Sequence, residues 1–175
     1  MGVKDLIDAL GTFAPSPREQ KADGRTVTAT EERMTGFVFK IQANMDPKHR
    51  DRTAFLRICS GEFVQGMTAY HVRQERELRI NNALQFMSKE RKNVDRAYAG
   101  DIIGIHDKNL MIGDTITEGE VLKFTGVPQF SPDLFARVDL KNPIKNKQLQ
   151  KGLEQLAEEG TSQIFRKKHT SETFI

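Results

Sequence analysis

At 175 residues and 19.9 kDa, the chain is long enough to bury a real core in one sizeable domain plus an appendage, so it needs no disulfide or metal staple. Cys59 is its only cysteine, which excludes an internal disulfide. No apolar run approaches a membrane span and no signal-peptide pattern opens the chain, so the expected localisation is cytoplasmic, with no membrane partner. A net charge of +3 and a pI near 9.0 permit an RNA partner without demanding one; two tyrosines and no tryptophan argue against a base-stacking single-strand binder, although 11 phenylalanines keep that reading open.

The first element is a short amphipathic helix over residues 2–13, because Val3, Leu6, Ile7, Leu10 and Phe13 recur at helical spacing. Nothing else in the first 24 residues supplies a surface for that stripe. It must pack on a later part of the chain or on a surface outside it. Pro15 and Pro17 end the helix, and residues 15–24 read as a linker.

Residues 25–130 read as all-β. A short strand over 26–30 comes first. The organising stretch is next, TGFVFKIQANMDPKHRDRTAFLRICSG, from Thr35 to Gly61. In its first half Phe37, Phe39 and Ile41 alternate with Val38, Lys40 and Gln42, which predicts that the first three share one face of a strand. In its second half Ala54, Leu56 and Ile58 alternate with Phe55, Arg57 and Cys59. Between the halves, Asp46-Pro47 signals a turn, and Lys48, His49, Arg50 and Arg52 supply cations held between two strands. Further short strands are expected over 67–72, 77–80, 83–87, 101–106 and 121–124. Gly100 and Gly113, each before an aspartate, mark sharp turns or bulges. Short strands at this spacing predict a closed barrel or sandwich rather than βαβ units.

Residues 131–175 change character. Strand-like alternation over 134–140 precedes Asn142-Pro143, a side-chain cap followed by proline at the first helical position. Leu149, Leu153, Leu156 and Ala157 then share a helix face, and Gly160 is the expected stop. A last strand is expected over 162–165, followed by a loop or frayed tail from Arg166 to Glu172.

The string GFVFKIQANMDPKHRDR, continued by AGDI at 99–102, IGDT at 112–115, LKFTG at 122–126, QLQKGL at 148–153 and LAEEG at 156–160, resembles the peptide chain release factor 3 family of translational GTPases over nearly the whole chain. The resemblance implies a mainly β fold: a closed six-stranded domain-two barrel at 25–130. The last helix of a GTPase domain and its linker would lie at 1–24, and the truncated start of a ferredoxin-like α/β third domain at 131–175. It also implies a parent that uses GTP and Mg2+ to promote dissociation of class I release factors from the ribosome in translation termination. The barrel would then be a ribosome-docking and interdomain signalling module. Implied partners are small-subunit RNA, class I release factors and the parent's own GTPase domain, and not DNA. Elongation factor G-like and ribosomal-protection-like proteins share this barrel, and a purely structural spacer is the remaining alternative.

The reaction itself is not expected of these residues. A P-loop needs GxxxxGK[ST], and no glycine here precedes Lys-Ser or Lys-Thr. Asn146-Lys147 begins an NKxD pattern, but Leu149 stands where the aspartate belongs. Asp101-Ile102-Ile103-Gly104 matches DxxG only formally, within an expected strand. No cofactor site is therefore expected. His49, His71, His106 and His169 lack partners at metal-ligand spacing, so no metal is expected either. Cys59, at an alternating strand position, reads as a small buried hydrophobe. Asp101 and Asp114 read as turn residues.

Binding is the stronger expectation. Candidate ribosome or interdomain contacts are Lys48, His49, Arg50 and Arg52, with a second cluster at Lys89, Arg91, Lys92 and Arg96. Guanidinium and ammonium groups match phosphate oxygens and release counterions. Lys141, Lys145, Lys147 and Lys151 form a third. The bland reading of each is a solvated face, with Asp51, Glu90 and Asp95 offsetting charge nearby.

Overall fold

The computed structural model describes residues 2–43, 52–87, 90–126, 131–168, 170 and 172–175. Helix α1 (Val3–Phe13) forms as the apolar spacing requires. None of its residues is buried, and the stripe residues Val3, Leu6, Ile7, Leu10 and Phe13 are 58–80% exposed. The helix ends at Ala14, whose backbone is extended (φ −65°, ψ 130°), as the residue before Pro15 must be.

The expected linker is partly a hairpin. Strands β1 (Gln20–Ala22) and β2 (Arg25–Val27) pair antiparallel around Asp23-Gly24, with Gly24 at φ 82°. The segment 123–125 bonds to this hairpin: Asp23 N–H donates to Lys123 O at 2.8 Å, and Thr125 N–H to Lys21 O at 3.1 Å. The strand expected over 121–124 is thereby reduced to one bridge, Phe124 opposite Ala22.

The main body continues as β3 (Thr35–Ala43), β4 (Arg52–Ser60), β5 (Glu62–Val64), β6 (Thr68–His71), β7 (Arg76–Arg79), β8 (Ala83–Met87), β9 (Glu90–Asn93), β10 (Arg96–Tyr98), β11 (Ile102–Ile105) and β12 (Thr115–Thr117). Eight of these make one sheet in the order β7-β6-β12-β3-β4-β11-β8-β9, and β5 pairs with β10 separately. The expected closed six-stranded barrel is therefore an open, eight-stranded sheet among the described residues. Its edge strands carry Arg76, Glu77 and Arg79 on one side and Glu90, Arg91 and Lys92 on the other, the charged composition that leaves an edge unpaired. The β5–β10 ladder brings the chain entering β6 beside the chain leaving β9, extended by Gln65 N–H to Asp95 O at 2.8 Å.

The β4 alternation holds. Ala54, Leu56 and Ile58 face the main core, with Phe63, Ile80, Ile103, Ile105, Leu110 and Ile116. The β3 alternation does not. A register shift between Val38 and Lys40 inserts Phe39 as an extra residue. Val38 and Ile41 then face the main core, while Phe37 and Phe39 turn to the other side. There they pack with Val27, Cys59, Leu122 and Phe124 in a second cluster, the Phe37 and Phe124 rings 5.4 Å apart. A bulge reverses the facing of every residue beyond it, which is why Phe37 and Phe39 share a face as a period of two requires but Ile41 does not join them. Cys59 is buried as expected, and burial pushes its thiol up to about 12.

In the C-terminal segment Asn142 caps as expected, its side-chain oxygen accepting from Ile144 N–H at 3.0 Å. Pro143 opens a 3₁₀ turn that leads into α2 (Asn146–Glu158). Gly160, at φ 70°, ends it, with Gly160 N–H on Ala157 O and Thr161 N–H on Leu156 O. Strands β13 (Phe165–Arg166) and β14 (Thr173–Phe174) pair antiparallel. On its other side β14 meets residues 136–138, with Ala136 and Ile175 exchanging bonds of 2.8 and 3.0 Å. The expected loop or frayed tail thus leads into a strand that lies between β13 and residues 136–138, where the strand-like alternation of 134–140 is reduced to one bridge, Arg137 opposite Phe174. No helix among the described residues is long and apolar enough to cross a membrane.

Gly61 joins β4 to β5 at φ 65°, and a Cβ there would meet the Arg33 and Met34 backbone; Gly113, at φ 89°, faces open space. Both lose by carrying a side chain in the left-handed region, but only Gly61 adds a backbone clash. Gly61→Ala should cost at least about 3 kcal/mol and Gly113→Ala about 1 kcal/mol. Urea unfolding of both variants checks this, and equal losses would refute the steric assignment.

Candidate interdomain and docking site

The loop 107–114, between β11 and β12, is where charge and chain direction converge. Leu110 enters the core with no exposed surface. Arginines satisfy the carbonyls beside it. Arg52, the first residue of β4, donates from Nη1 to Lys108 O at 2.9 Å and from Nη2 to Leu110 O at 2.8 Å. Arg73, in the β6–β7 turn, donates to Asn109 O at 2.8 Å. Arg76 holds Asp107 at 2.9 Å. Gly113 N–H and Asp114 O bond to Val38 on β3 at 2.7 and 2.8 Å, which ties the loop to the bulge.

Asp114 is the anionic centre. It is 3% exposed and accepts from Arg73 Nε at 2.5 Å, Arg73 Nη2 at 2.8 Å, Met111 N–H at 2.8 Å and His71 Nε2 at 2.9 Å. His71 is fully buried, and its other ring nitrogen lies 3.1 Å from Gln74 Oε1. Arg76 Nε donates to that same oxygen at 2.6 Å, which fixes it as an acceptor, so both imidazole nitrogens face acceptors. Burial pushes the Asp114 carboxyl up, but the Arg73 hydrogen bonds, the Met111 N–H and the nearby His71 and Arg73 charges outweigh it and hold the group below its ordinary range. Turn chemistry does explain Asp101, whose carboxylate accepts from Tyr98 N–H at 2.9 Å. It explains only part of Asp114.

Of the expected contact residues, Lys48, His49, Arg50 and Lys89 lie outside the described residues. Arg91 and Lys92 belong to β9, opposite Phe86 and Gln85, with Lys92 exposed. Arg96 is exposed and pairs with Glu62 at 2.9 Å. Arg52 differs most from its sequence reading. Its side chain is 16% exposed and is engaged with the loop carbonyls and with Glu158 of α2 at 2.9 Å. No local pattern announces such a role, because its partners are backbone oxygens and a side chain 106 positions away. Lys141, Lys145, Lys147 and Lys151 are exposed. Beside the 3₁₀ turn and α2 runs a groove of about 870 Å³, lined in part by Leu140, Leu149, Leu153 and Leu156.

Residues 33–119 match the family model described as elongation factor G domain 2, and residues 124–175 match that of class II release factor RF3, C-terminal domain. A crystal structure of a protein from Thermus thermophilus is similar in fold, with a TM-score of 0.76 and 24% identity. That likeness covers 99% of this chain and 25% of the other, so the chain spans about a quarter of that protein's length.

Because the Asp114 carboxyl is lowered in the folded state, its contribution is complete above its unfolded value of about 3.9 and is lost as pH falls through the folded one. Asp114→Asn should therefore cost about 2 kcal/mol at pH 7, less than breaking a fully buried pair because Arg73 is partly in water. The gap from wild type should narrow below about pH 4. Urea midpoints at pH 7, 5 and 3 check this; a gap that is constant across that range would refute it.

Proposed function

Since the chain belongs to the release factor 3-like translational GTPases, with an elongation factor G-type domain 2 followed by the class II release factor C-terminal domain, we propose that it is the middle portion of a factor promoting GTP-dependent dissociation of class I release factors from the ribosome. The observation that carries this reading is the order of the two matches along one chain. An elongation factor G-type barrel alone is equally at home in elongation factor G-like or ribosomal-protection-like proteins; the release-factor C-terminal domain behind it favours termination.

The sheet's part in that work is docking and transmission. Strands β3 and β4 are hydrogen-bonded from Ala43 opposite Arg52 through Thr35 opposite Ser60, so residues 44–51 leave and re-enter a fixed pair of strands. That connection carries Lys48, His49 and Arg50, which with Lys89, Arg91 and Lys92 are the proposed contacts to small-subunit RNA phosphates. The GTP and Mg2+ chemistry belongs to a GTPase domain in the parent, since these residues carry neither P-loop nor NKxD. The site of action is the cytoplasm, where ribosomes work.

The chain should co-sediment with small ribosomal subunits at low salt and be released at high salt. Lys48→Ala with Arg50→Ala should weaken binding about tenfold and reduce the log–log salt slope by about 1.5, the loss of two phosphate contacts. GTP turnover by the chain should stay at background. Binding and salt slope unchanged by the double substitution would remove this connection from the RNA interface, and turnover above background would overturn the division of labour.

A further inference from the structure

Among the described residues, Glu158 and Gly160 at the C-terminal end of α2 reach the sheet at loop 107–114, in one case through Arg52. In one, the Arg52 guanidinium holds Lys108 O, Leu110 O and Glu158 Oε2 at 2.8–2.9 Å. In the other, Gly160 comes so close to Ile112 that a Cβ would stand 2.7 Å from its Cδ1, at a φ of 70° that itself favours glycine. The loop that receives them is braced by Arg73, Arg76, Asp114 and Val38.

We infer that Arg52 is a positioning residue that fixes the C-terminal α/β segment on the sheet, gripping two loop carbonyls and the Glu158 carboxylate with one guanidinium. The planar fork suits this task and an ammonium does not. Two donors must reach carbonyls two residues apart in the loop while another N–H points to the helix. A phosphate-binding arginine would keep its head in water; Arg52 has its Nε buried with no partner among the described residues. That is a cost accepted in a joint and avoidable in a surface contact. Arg52 also comes directly after residues 44–51, so the residue that anchors the end of that connection is the one that touches α2. A shift of the helix is then felt at the root of the connection through a single side chain. The assignment stands independently of whether 44–51 meets RNA.

The test is a distance measured across the joint in the full chain. Spin labels are placed at Arg79→Cys on β7 and Lys147→Cys on α2, both exposed positions. Cys59 is buried and its thiol is pushed up to about 12, so it takes no label. Pulsed dipolar spectroscopy should give one narrow distance distribution. Glu158→Ala should broaden it at least twofold with the urea midpoint of the sheet unchanged, whereas Glu154→Ala, exposed on the same helix, should leave it narrow. Arg52→Lys, which keeps the charge and loses the fork, should broaden it as Glu158→Ala does. A distribution that stays narrow in Glu158→Ala, or one already broad in the doubly labelled chain without it, would overturn the assignment. Glu158→Ala keeps the test decisive even if Arg52→Lys fails to fold.

Discussion

Backbone carbonyls that leave a sheet and pass beside a core must find donors, and loop 107–114 finds them in arginines. The loop has no ladder of its own, yet Leu110 is buried within it and Thr115, just beyond it, starts the strand that pairs with β3 and β6. Charge-assisted hydrogen bonds contribute roughly 1.5–3 kcal/mol when shielded from water, enough to hold a loop that has little apolar surface to bury. Asp114 closes the arrangement. It balances Arg73, faces His71, and passes its own carbonyl to Val38. The loop's stiffness is felt across the sheet, because residues of β3, β4, β6 and the β6–β7 turn all bond to it.

The same region separates two cores. The bulge at Phe39 sends Val38 and Ile41 into one cluster and Phe37 and Phe39 into the other. The second cluster is closed by the β1–β2 hairpin and by Phe124, whose N–H donates to the Thr115 hydroxyl at 3.1 Å. Arg25 fastens the hairpin with a two-pronged grip on Glu120 at 2.6 and 2.8 Å and a further bond to Glu31. A stretch that reads as a linker is therefore a lid on an apolar face, whereas the helix before it covers nothing. Among the described residues the α1 stripe stays exposed.

What was legible from residue order depends on range. The β4 alternation, the Asn142-Pro143 helix start, the Gly160 stop and the turns at Gly100 and Gly113 are local, and each appeared where spacing placed it. Strands β5, β10 and β12 have three residues each, too short for a period to show, and exist only because distant partners pair with them. The β3 bulge was hidden because Phe-Val-Phe offers apolar side chains to both faces and so fits either register. Asp23-Gly24 was a visible hairpin signal that the prolines before it obscured. The His71–Asp114 and Arg52–Glu158 partnerships span 43 and 106 positions. No spacing rule reaches that far, and a family resemblance supplies the fold without the side-chain pairings.

The basic balance of the chain takes on a different meaning once its cations are located. Arg25, Arg52, Arg73, Arg76 and Arg96 are committed to carboxylates within the chain, and two of them to loop carbonyls as well. On α2 and the turn before it, by contrast, Lys141, Lys145, Lys147 and Lys151 point to water. The division follows from chemistry: the planar, weakly hydrated guanidinium tolerates burial and reads two acceptors at once, whereas the ammonium is better left solvated. The field that an anionic partner meets is then set by the outward-facing cations rather than by the total of 27 lysines and arginines. A pI near 9.0 overstates the attraction wherever arginines are built into the frame, and it understates it where exposed lysines share a helix face.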